Sequence, residues 1–142
     1  MKITEIMTRD IVVVGVNENL AMVKRLFTSD KFHHLLVVDK ENIVGVISDR
    51  DLLKAISPFI GTHIEHIRDT ETLNQKVTRI MSRPPIVLEQ GASVMDAVSL
   101  FNLHAISCIP IIDDEEKPVG IVTWRDIFRA VLKRREDKSG GA

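Results

Sequence analysis

The sequence contains two copies of one pattern, and this duplication constrains the fold more than any other feature. A Met-Thr-Arg tripeptide begins at Met7 and a Met-Ser-Arg tripeptide begins at Met81, an offset of 74 residues (81 minus 7). After the turn that follows Asp39 the offset becomes 75, because the corresponding turn after Asp113 is one residue longer. Polar turns tolerate such changes in length. The sequence therefore predicts two units of similar structure.

The hydrophobic period changes in the same order within each copy. A short apolar run predicts a first strand, and a stripe at helical spacing predicts a helix after it. Two further apolar runs, joined by a charged turn, predict a hairpin, and a last helix follows. In the first copy these segments are Ile11–Val14, the stripe Leu20, Val23 and Phe27, then Leu35–Val38 and Ile43–Ile47, and a helix with Leu52. In the second they are Ile86–Leu88, the stripe Val94, Ala97, Val98 and Phe101, then Ile109–Ile112 and Val119–Val122, and a helix with Ile127.

The predicted fold class is therefore α/β, of the α+β type, with two β-α-β-β-α units. We expect the first unit over residues 1–56, a linker with a short helical piece over 57–75, the second unit over 76–133, and a flexible tail over 134–142. A unit of this size leaves one face of a small sheet bare. Packing of the two copies about a pseudo-twofold axis is the simplest way to cover that face.

Charge and cysteine content argue against several classes of protein. The 142 residues include 19 basic and 20 acidic side chains, a net charge of −1, which provides no global field for nucleic acid or an anionic membrane. The apolar runs are far shorter than the roughly 20 residues of a transmembrane helix. The single cysteine precludes an internal disulfide, and no secretory leader opens the sequence. We expect a cytoplasmic protein with no membrane or nucleic-acid partner.

The most informative motif combines a glycine, a hydroxyl and a carboxylate at fixed spacing. It reads Gly45-x-x-Ser48-x-x-Asp51 in the first copy, and Gly120, Thr123 and Asp126 repeat it in the second. A hydroxyl followed three residues later by an acid also forms a helix capping box. Asp replaces the Glu or Gln that such a box prefers, and a glycine inside a strand often marks close approach by a ligand or another backbone. Since helix N-termini attract phosphate, capping and ribose-phosphate binding both stay open at this stage.

The order of these features resembles a tandem pair of CBS domains, also called a Bateman module. The likeness rests on the two tripeptides, the stretch His104–Asp113 and the duplicated motif, and it covers about Ile3 to Leu132. It implies a regulatory module that binds adenine nucleotides (AMP, ADP or ATP) in clefts between its two units, requires no cofactor and signals by conformational change. The implied partners are a second copy in a homodimer and an unidentified downstream protein.

The resemblance also implies a role for each candidate residue. In this reading the ribose or phosphate contacts are Ser48, Asp51, Thr123 and Asp126. The base slot consists of Val12, Phe32, His33 and Val46 in one copy and Ile86, Ile106, Ser107 and Ile121 in the other, and the ribose motif of one copy faces the base slot of the other. Arg50 and Arg125 lie at the helix starts, where a guanidinium can bind phosphate. His33 with His34 would favour phosphates at the first site and make it sensitive to pH.

Less specific interpretations stand beside these. The apolar positions fit an ordinary core, and both arginines fit a solvated helical turn. A structural dimerisation module with empty clefts is an alternative function, as is binding of S-adenosylmethionine or NAD. No metal site is expected, because His63 and His66 lack a third ligand at a fixed spacing. No nucleophile motif or phosphate-binding glycine loop is present in the sequence, so we do not expect an enzyme.

Overall fold

The computed structural model describes residues 1–29 and 32–140. Contacts divide the chain into two compact units, one over Val12–Pro85 and the other formed by Met1–Ile11 together with the chain from Ile86 onward. We call them the first and the second unit, because they hold the first and the second copy of the motif. Within the described residues, no helix combines the length and apolar character that a membrane-spanning segment requires.

The first unit contains a three-stranded sheet and three α-helices. Its strands are β1 (Val13–Gly15), β2 (His34–Asp39) and β3 (Asn42–Ser48), and its helices are α1 (Leu20–Ser29), α2 (Asp49–Ala55) and α3 (Ile67–Glu71). Strand β2 lies in the centre, parallel to β1 and antiparallel to β3. The predicted order strand, helix, hairpin, helix is therefore confirmed for this copy.

The second unit repeats the same arrangement. Its strands are β4 (Leu88–Glu89), β5 (Cys108–Ile112) and β6 (Pro118–Thr123), and its helices are α4 (Val94–Leu103) and α5 (Trp124–Gly140). Strand β5 is again central, parallel to β4 and antiparallel to β6. The mixed α+β class predicted from the duplicated pattern is confirmed.

The predicted helical stripes form the cores of the two units. In α1, Leu20 and Val23 are fully buried, and in α4, Ala97 and Phe101 are buried. They pack against central-strand residues that alternate along the chain, Leu35 and Val37 in one unit and Ile109 and Ile111 in the other. The buried face of the strand, with a period of two residues, thus packs against the buried face of the helix, with a period of 3.6 residues.

The tripeptide that opens each repeat lies in the unit of the other repeat. Thr8 exchanges two backbone hydrogen bonds with Ile121 of β6, at 2.8 and 2.9 Å, and Met7 belongs to the core of the second unit. Ser82 exchanges two with Val46 of β3, at 2.9 and 3.2 Å, in the first unit. Each compact unit therefore contains the opening segment of the other repeat and not that of its own.

Residues 57–75, predicted as a linker with a short helical piece, fold onto the first unit around a buried carboxylate. The hydroxyl of Ser57 donates to Asp69 Oδ1 at 2.7 Å, and the backbone N–H of His66 donates to Oδ2 at 2.8 Å. Asp69 is only 6% exposed. These bonds lower the pKa of Asp69, the backbone bond from His66 contributing most. The stretch includes helix α3 and a 3-10 turn over Thr72–Asn74.

Three boundaries differ from the predictions by two residues or more. Strand β1 begins at Val13 rather than Ile11, and β4 begins at Leu88 rather than Ile86, two residues further from Pro84 and Pro85, which have no N–H to donate. Helix α5 continues to Gly140, beyond the start of the predicted tail at residue 134. The stretch Lys133–Lys138 consists largely of good helix formers and places opposite charges three and four residues apart, which supports a helix. Residues 141 and 142 of that tail lie outside the described residues.

Candidate functional site

Both copies of the motif lie where the last strand of a unit passes directly into a helix. Strand β3 ends at Ser48 and α2 begins at the next residue, whereas β6 ends at Thr123 and α5 begins at Trp124. The hydroxyl therefore stands at the N-cap position and the aspartate at the third helical position in each unit. The two groups face each other across the first helical turn, as a capping box requires.

In the first motif the cap is complete and the carboxylate stays accessible. The backbone N–H of Ser48 donates to Asp51 Oδ2 at 2.9 Å, and the N–H of Asp51 donates to Ser48 Oγ at 3.2 Å. Both side chains are half-buried. The bond from Ser48 uses one of the roughly four lone-pair sites of a carboxylate.

In the second motif the carboxylate is buried and accepts several hydrogen bonds from other residues of the protein. Thr123 donates to Asp126 Oδ2 through its N–H at 2.9 Å and its hydroxyl at 3.2 Å. The hydroxyl of Thr8 donates to Oδ1 at 3.2 Å, and Arg129 Nη1 lies 3.6 Å from the same oxygen. Asp126 is 3% exposed. The two motifs, alike in sequence, thus present their carboxylates differently.

The opening tripeptides also explain why each motif contains a glycine. A Cβ on Gly120 would lie 2.7 Å from Met7 Sδ and 2.9 Å from the carbonyl oxygen of Thr8. A Cβ on Gly45 would lie 2.5 Å from Met81 Sδ. Since real Cβ atoms do not approach sulfur this closely, each glycine makes room for a methionine. The close approach that the sequence suggested is therefore made by the protein's own chain.

Polar groups gather beside the first motif. His33 Nδ1 lies 2.9 Å from Asp49 Oδ2, and the backbone N–H of Asp49 donates to the carbonyl oxygen of His33 at 2.9 Å. His34 pairs with Ser48 across the strands. Burial lowers the pKa of His34, opposed by the negative charge of Asp49. His33, His34, Ser48 and Asp49 thus form one polar cluster. Arg50 is exposed.

The second motif has different neighbours at the same positions. Cys108 pairs with Thr123 where His34 pairs with Ser48. Burial raises the pKa of the Cys108 thiol to about 12, with a smaller contribution from the charge of Asp126. Arg125 and Ser107 are exposed. This cluster therefore lacks the imidazoles of the first.

The apolar residues predicted for the base slot of the first unit lie beside its central strand and core. Val12, the residue before β1, and Val46 of β3 lie on either side of Leu36, as the bond from the Leu36 N–H to the Val12 carbonyl at 2.9 Å and the pairing of Leu36 with Val46 show. Val12 and Phe32 both pack against the core, and the ring of Phe32 lies 5.2 Å from that of Phe27.

In the second unit, Ile106 packs at the edge of the core, Ile121 is buried opposite Pro110, and Ile86 is half-buried. Phe32 and Ile106 thus fit the ordinary core interpretation as well as a slot.

Sequence reasoning missed three side chains at the motifs. Thr8 and Arg129 reach Asp126, and Asp49 holds His33. One signal was available for Thr8, because the repeated tripeptide places a hydroxyl at the same position in both copies. Within residues 1–29 and 32–140, no group of three or more His, Cys, Asp or Glu side chains is arranged to hold a metal ion.

Known proteins share this sequence pattern and architecture. Residues 3–58 and 77–133 each match the family model of the CBS domain. A CBS domain-containing protein of Dictyostelium discoideum is 27% identical over 133 residues, which cover 92% of this chain and 91% of that protein. Other relatives are longer: the match to inosine-5′-monophosphate dehydrogenase of Methanocaldococcus jannaschii, 28% identical, covers 95% of this chain but 24% of the enzyme.

Solved structures agree with the family model. CBSX2, a CBS-pair protein of Arabidopsis thaliana, superposes with a TM-score of 0.74 at 24% identity, over 95% of this chain and 96% of that one. A crystal structure of CBSX2 in complex with AMP gives 0.75 at 25% identity, over 94% and 98%. A CBS domain pair in complex with 5′-methylthioadenosine and S-adenosyl-L-methionine gives 0.77 at 22% identity, over 94% and 98%. The chain therefore belongs to the CBS domain family and carries two CBS domains in tandem.

Proposed function

We propose that this protein is a cytoplasmic regulatory module that binds an adenine nucleotide of the AMP, ADP or ATP class and passes its occupancy to a partner protein. CBS domain pairs are in general regulatory, non-catalytic modules. The observation that carries the proposal is the likeness to CBSX2, whose structure contains AMP and aligns with 94% of this chain at 25% identity. S-Adenosylmethionine and NAD share the adenosyl group and are included in the test.

The first motif offers suitable groups for a ribose diol. Asp51 is half-buried and accepts the N–H of Ser48 through Oδ2, at 2.9 Å. A carboxylate has about four lone-pair sites, so two ribose hydroxyls can donate to it without breaking the cap. Capping and binding are compatible, because the cap fixes the carboxylate before the ligand arrives.

The second motif is less available to the same ligand. A ribose at Asp126 competes with the hydroxyls of Thr8 and Thr123 and with Arg129 for the same two oxygens. We therefore propose that the nucleotide occupies the first motif at lower concentration than the second. The ligand regulates by differential affinity, since it shifts a conformational equilibrium only by as much as its affinities for the two states differ. We propose that the assembly whose conformation responds to the ligand is a homodimer.

Titration calorimetry with AMP, ADP, ATP, NAD and S-adenosylmethionine tests the proposal. The sharpest variant pair is Asp51→Ala with Asp96→Ala, because Ser93 and Asp96 form the same capping box on α4, at 2.9 and 3.1 Å, outside the motif. Each variant loses the carboxylate half of one capping box, keeps the backbone bond to the serine hydroxyl, and loses about 1 kcal/mol of stability. We expect only Asp51→Ala to weaken nucleotide binding, by on the order of tenfold or more, as for the loss of hydrogen bonds to a charged group. Equal loss of affinity in both variants would contradict the assignment.

The complete caps favour a second candidate function, a structural interaction module without a ligand. Ser48 with Asp51 and Ser93 with Asp96 share the same geometry, so capping alone accounts for the first motif. The titrations decide between the two functions. Absence of heat and of a thermal shift for all five ligands at millimolar concentration supports the structural module and rejects the nucleotide sensor.

A further inference from the structure

We propose that Asp49 sets the charge selectivity of the first motif, so that this motif prefers adenosyl ligands with few or no phosphates to ATP. The inference rests on the proposed function, because it names which members of the adenosyl class the site containing Ser48 and Asp51 accepts. It concerns a residue that lies between the two proposed ribose contacts and makes no part of the cap.

Two bonds fix the position of Asp49. Its side-chain Oδ2 lies 2.9 Å from His33 Nδ1, and its backbone N–H donates to the carbonyl oxygen of His33 at 2.9 Å. The side chain of Asp49 is 43% exposed, so its carboxylate faces solvent beside the first motif. A neutral imidazole can make the same hydrogen bond by donating from Nδ1. The charge of Asp49 is therefore held in place and not cancelled by the hydrogen bond itself.

The charge of Asp49 reaches the neighbouring strand. Burial, followed by the charge of His33, lowers the pKa of His34, whereas Asp49 and more weakly Asp51 raise it. His34 pairs with Ser48 across β2 and β3, so the field of Asp49 extends over the residues that flank the hydroxyl. Over residues 49–54 of the first motif's helix, two carboxylates, Asp49 and Asp51, stand beside two exposed cations, Arg50 and Lys54.

The second motif has a different balance of charge. Trp124 takes the place of Asp49, and its ring packs 5.0 Å from Phe101 and 5.9 Å from Phe128. Two guanidinium groups, Arg125 and Arg129, stand near the single carboxylate of Asp126, with Arg129 Nη1 3.6 Å from it. Over these corresponding stretches the first motif carries one negative charge more than the second, and Asp49 in place of Trp124 accounts for the difference.

This difference has a direct consequence for ligand choice. A phosphate at the first motif experiences repulsion from Asp49, whereas the neutral adenosine does not, and each added phosphate increases the penalty. Removing that charge should raise the ratio of ATP affinity to adenosine affinity by on the order of fivefold at moderate ionic strength.

The experiment follows backbone amide chemical shifts of the full-length chain during titration with adenosine, AMP and ATP. Shifts over residues 48–51 report the first motif and those over residues 123–126 the second. The variants are Asp49→Asn, which removes the charge, and Asp49→Glu, which keeps it. Asp39→Asn is the matched control, because it removes one exposed carboxylate from the opposite end of β2, about 16 Å from His34. The titrations are carried out at about pH 8, above the ordinary imidazole pKa of about 6.5.

We expect the affinity ratio of ATP to adenosine at residues 48–51 to rise in Asp49→Asn and to stay at the wild-type value in Asp49→Glu and Asp39→Asn. Residues 123–126 should keep their ratio in all three. An unchanged ratio in Asp49→Asn, or an equal rise in the control, overturns the inference and leaves the proposed function intact. If residues 48–51 of the wild type respond to none of the three ligands, the proposed function of this motif fails and the inference fails with it.

Discussion

The hydroxyl of Thr8 donates to the carboxylate of Asp126 across 118 positions of sequence, with 3.2 Å between Thr8 Oγ1 and Asp126 Oδ1. This bond ties the opening segment of the chain to the first turn of helix α5. It also distinguishes the motifs, because Ser82, the counterpart of Thr8, is exposed and pairs with Val46 through its backbone. The buried aspartate of the second motif therefore depends on a partner that its own repeat does not contain.

Thr8→Val should destabilise the second unit. The substitution keeps the shape of the side chain but leaves a buried carboxylate short of one donor, which costs about 1–3 kcal/mol of unfolding free energy. Urea denaturation followed by circular dichroism measures the change. Thr8→Ser retains the hydroxyl and should recover most of the loss, and Ser82→Ala should change the unfolding free energy by less than about 0.5 kcal/mol. Equal effects of Thr8→Val and Ser82→Ala would show that the bond to Asp126 contributes nothing.

Gly120→Ala should destabilise the fold by about 2 kcal/mol. The new methyl group would overlap Met7 Sδ and the carbonyl oxygen of Thr8, and overpacking of this kind costs about 1–3 kcal/mol. Thermal unfolding provides the measurement. Gly91→Ala is the matched control, because nothing lies within 4 Å of the corresponding Cβ. A Gly120→Ala protein as stable as the control would mean that the opening segment moves aside without loss.

Asp69→Asn should make the stability of the protein less sensitive to acid. The bonds from His66 and Ser57 hold the folded-state pKa of Asp69 below its ordinary value of 3.8. Its contribution is therefore present above that value and is lost as the pH falls through the depressed folded-state pKa.

Unfolding free energies measured from about pH 5 to pH 2 should fall less steeply in the variant than in the wild type. Asp39→Asn, which removes an exposed carboxylate from the same unit, should leave the slope of the wild type unchanged. Parallel curves for the wild type and Asp69→Asn would contradict the prediction.

Cys108 should resist alkylation in the native protein. The thiol is buried, and its pKa of about 12 leaves a thiolate fraction on the order of 10⁻⁴ at about pH 8. Iodoacetamide labelling, read by mass spectrometry, should be slow in buffer and rapid in denaturant. Labelling at equal rates in both conditions would show that β5 opens readily.

Much of the fold was predictable because its signals are local. The stripe from Val94 to Phe101 and the alternation around Leu35 and Val37 follow directly from helix and strand periodicity. The caps at Ser48 and Thr123 follow from a spacing of three residues. The duplicated order then identified the family from sequence.

The features that could not be predicted depend on contacts between distant parts of the chain. Nothing near Asp126 in sequence indicates that Thr8 reaches it, and nothing near Gly45 indicates that Met81 covers it. For the same reason, two motifs with equal spacing looked equivalent although one carboxylate is buried and the other accessible. Asp49 could not be predicted because its bond to His33 joins helix α2 to the residue before strand β2, on the other side of the hairpin.

The placement of the opening tripeptides has a consequence for any attempt to divide the chain. A single repeat, cut out between the two copies, carries an opening segment whose place is in the other unit and lacks the segment that pairs with its own sheet. Two separate repeats can complete each other only if each gives its opening segment to the other, as in a domain-swapped dimer of identical chains. In this chain residues 57–75 join the two repeats, so the exchange takes place within one molecule.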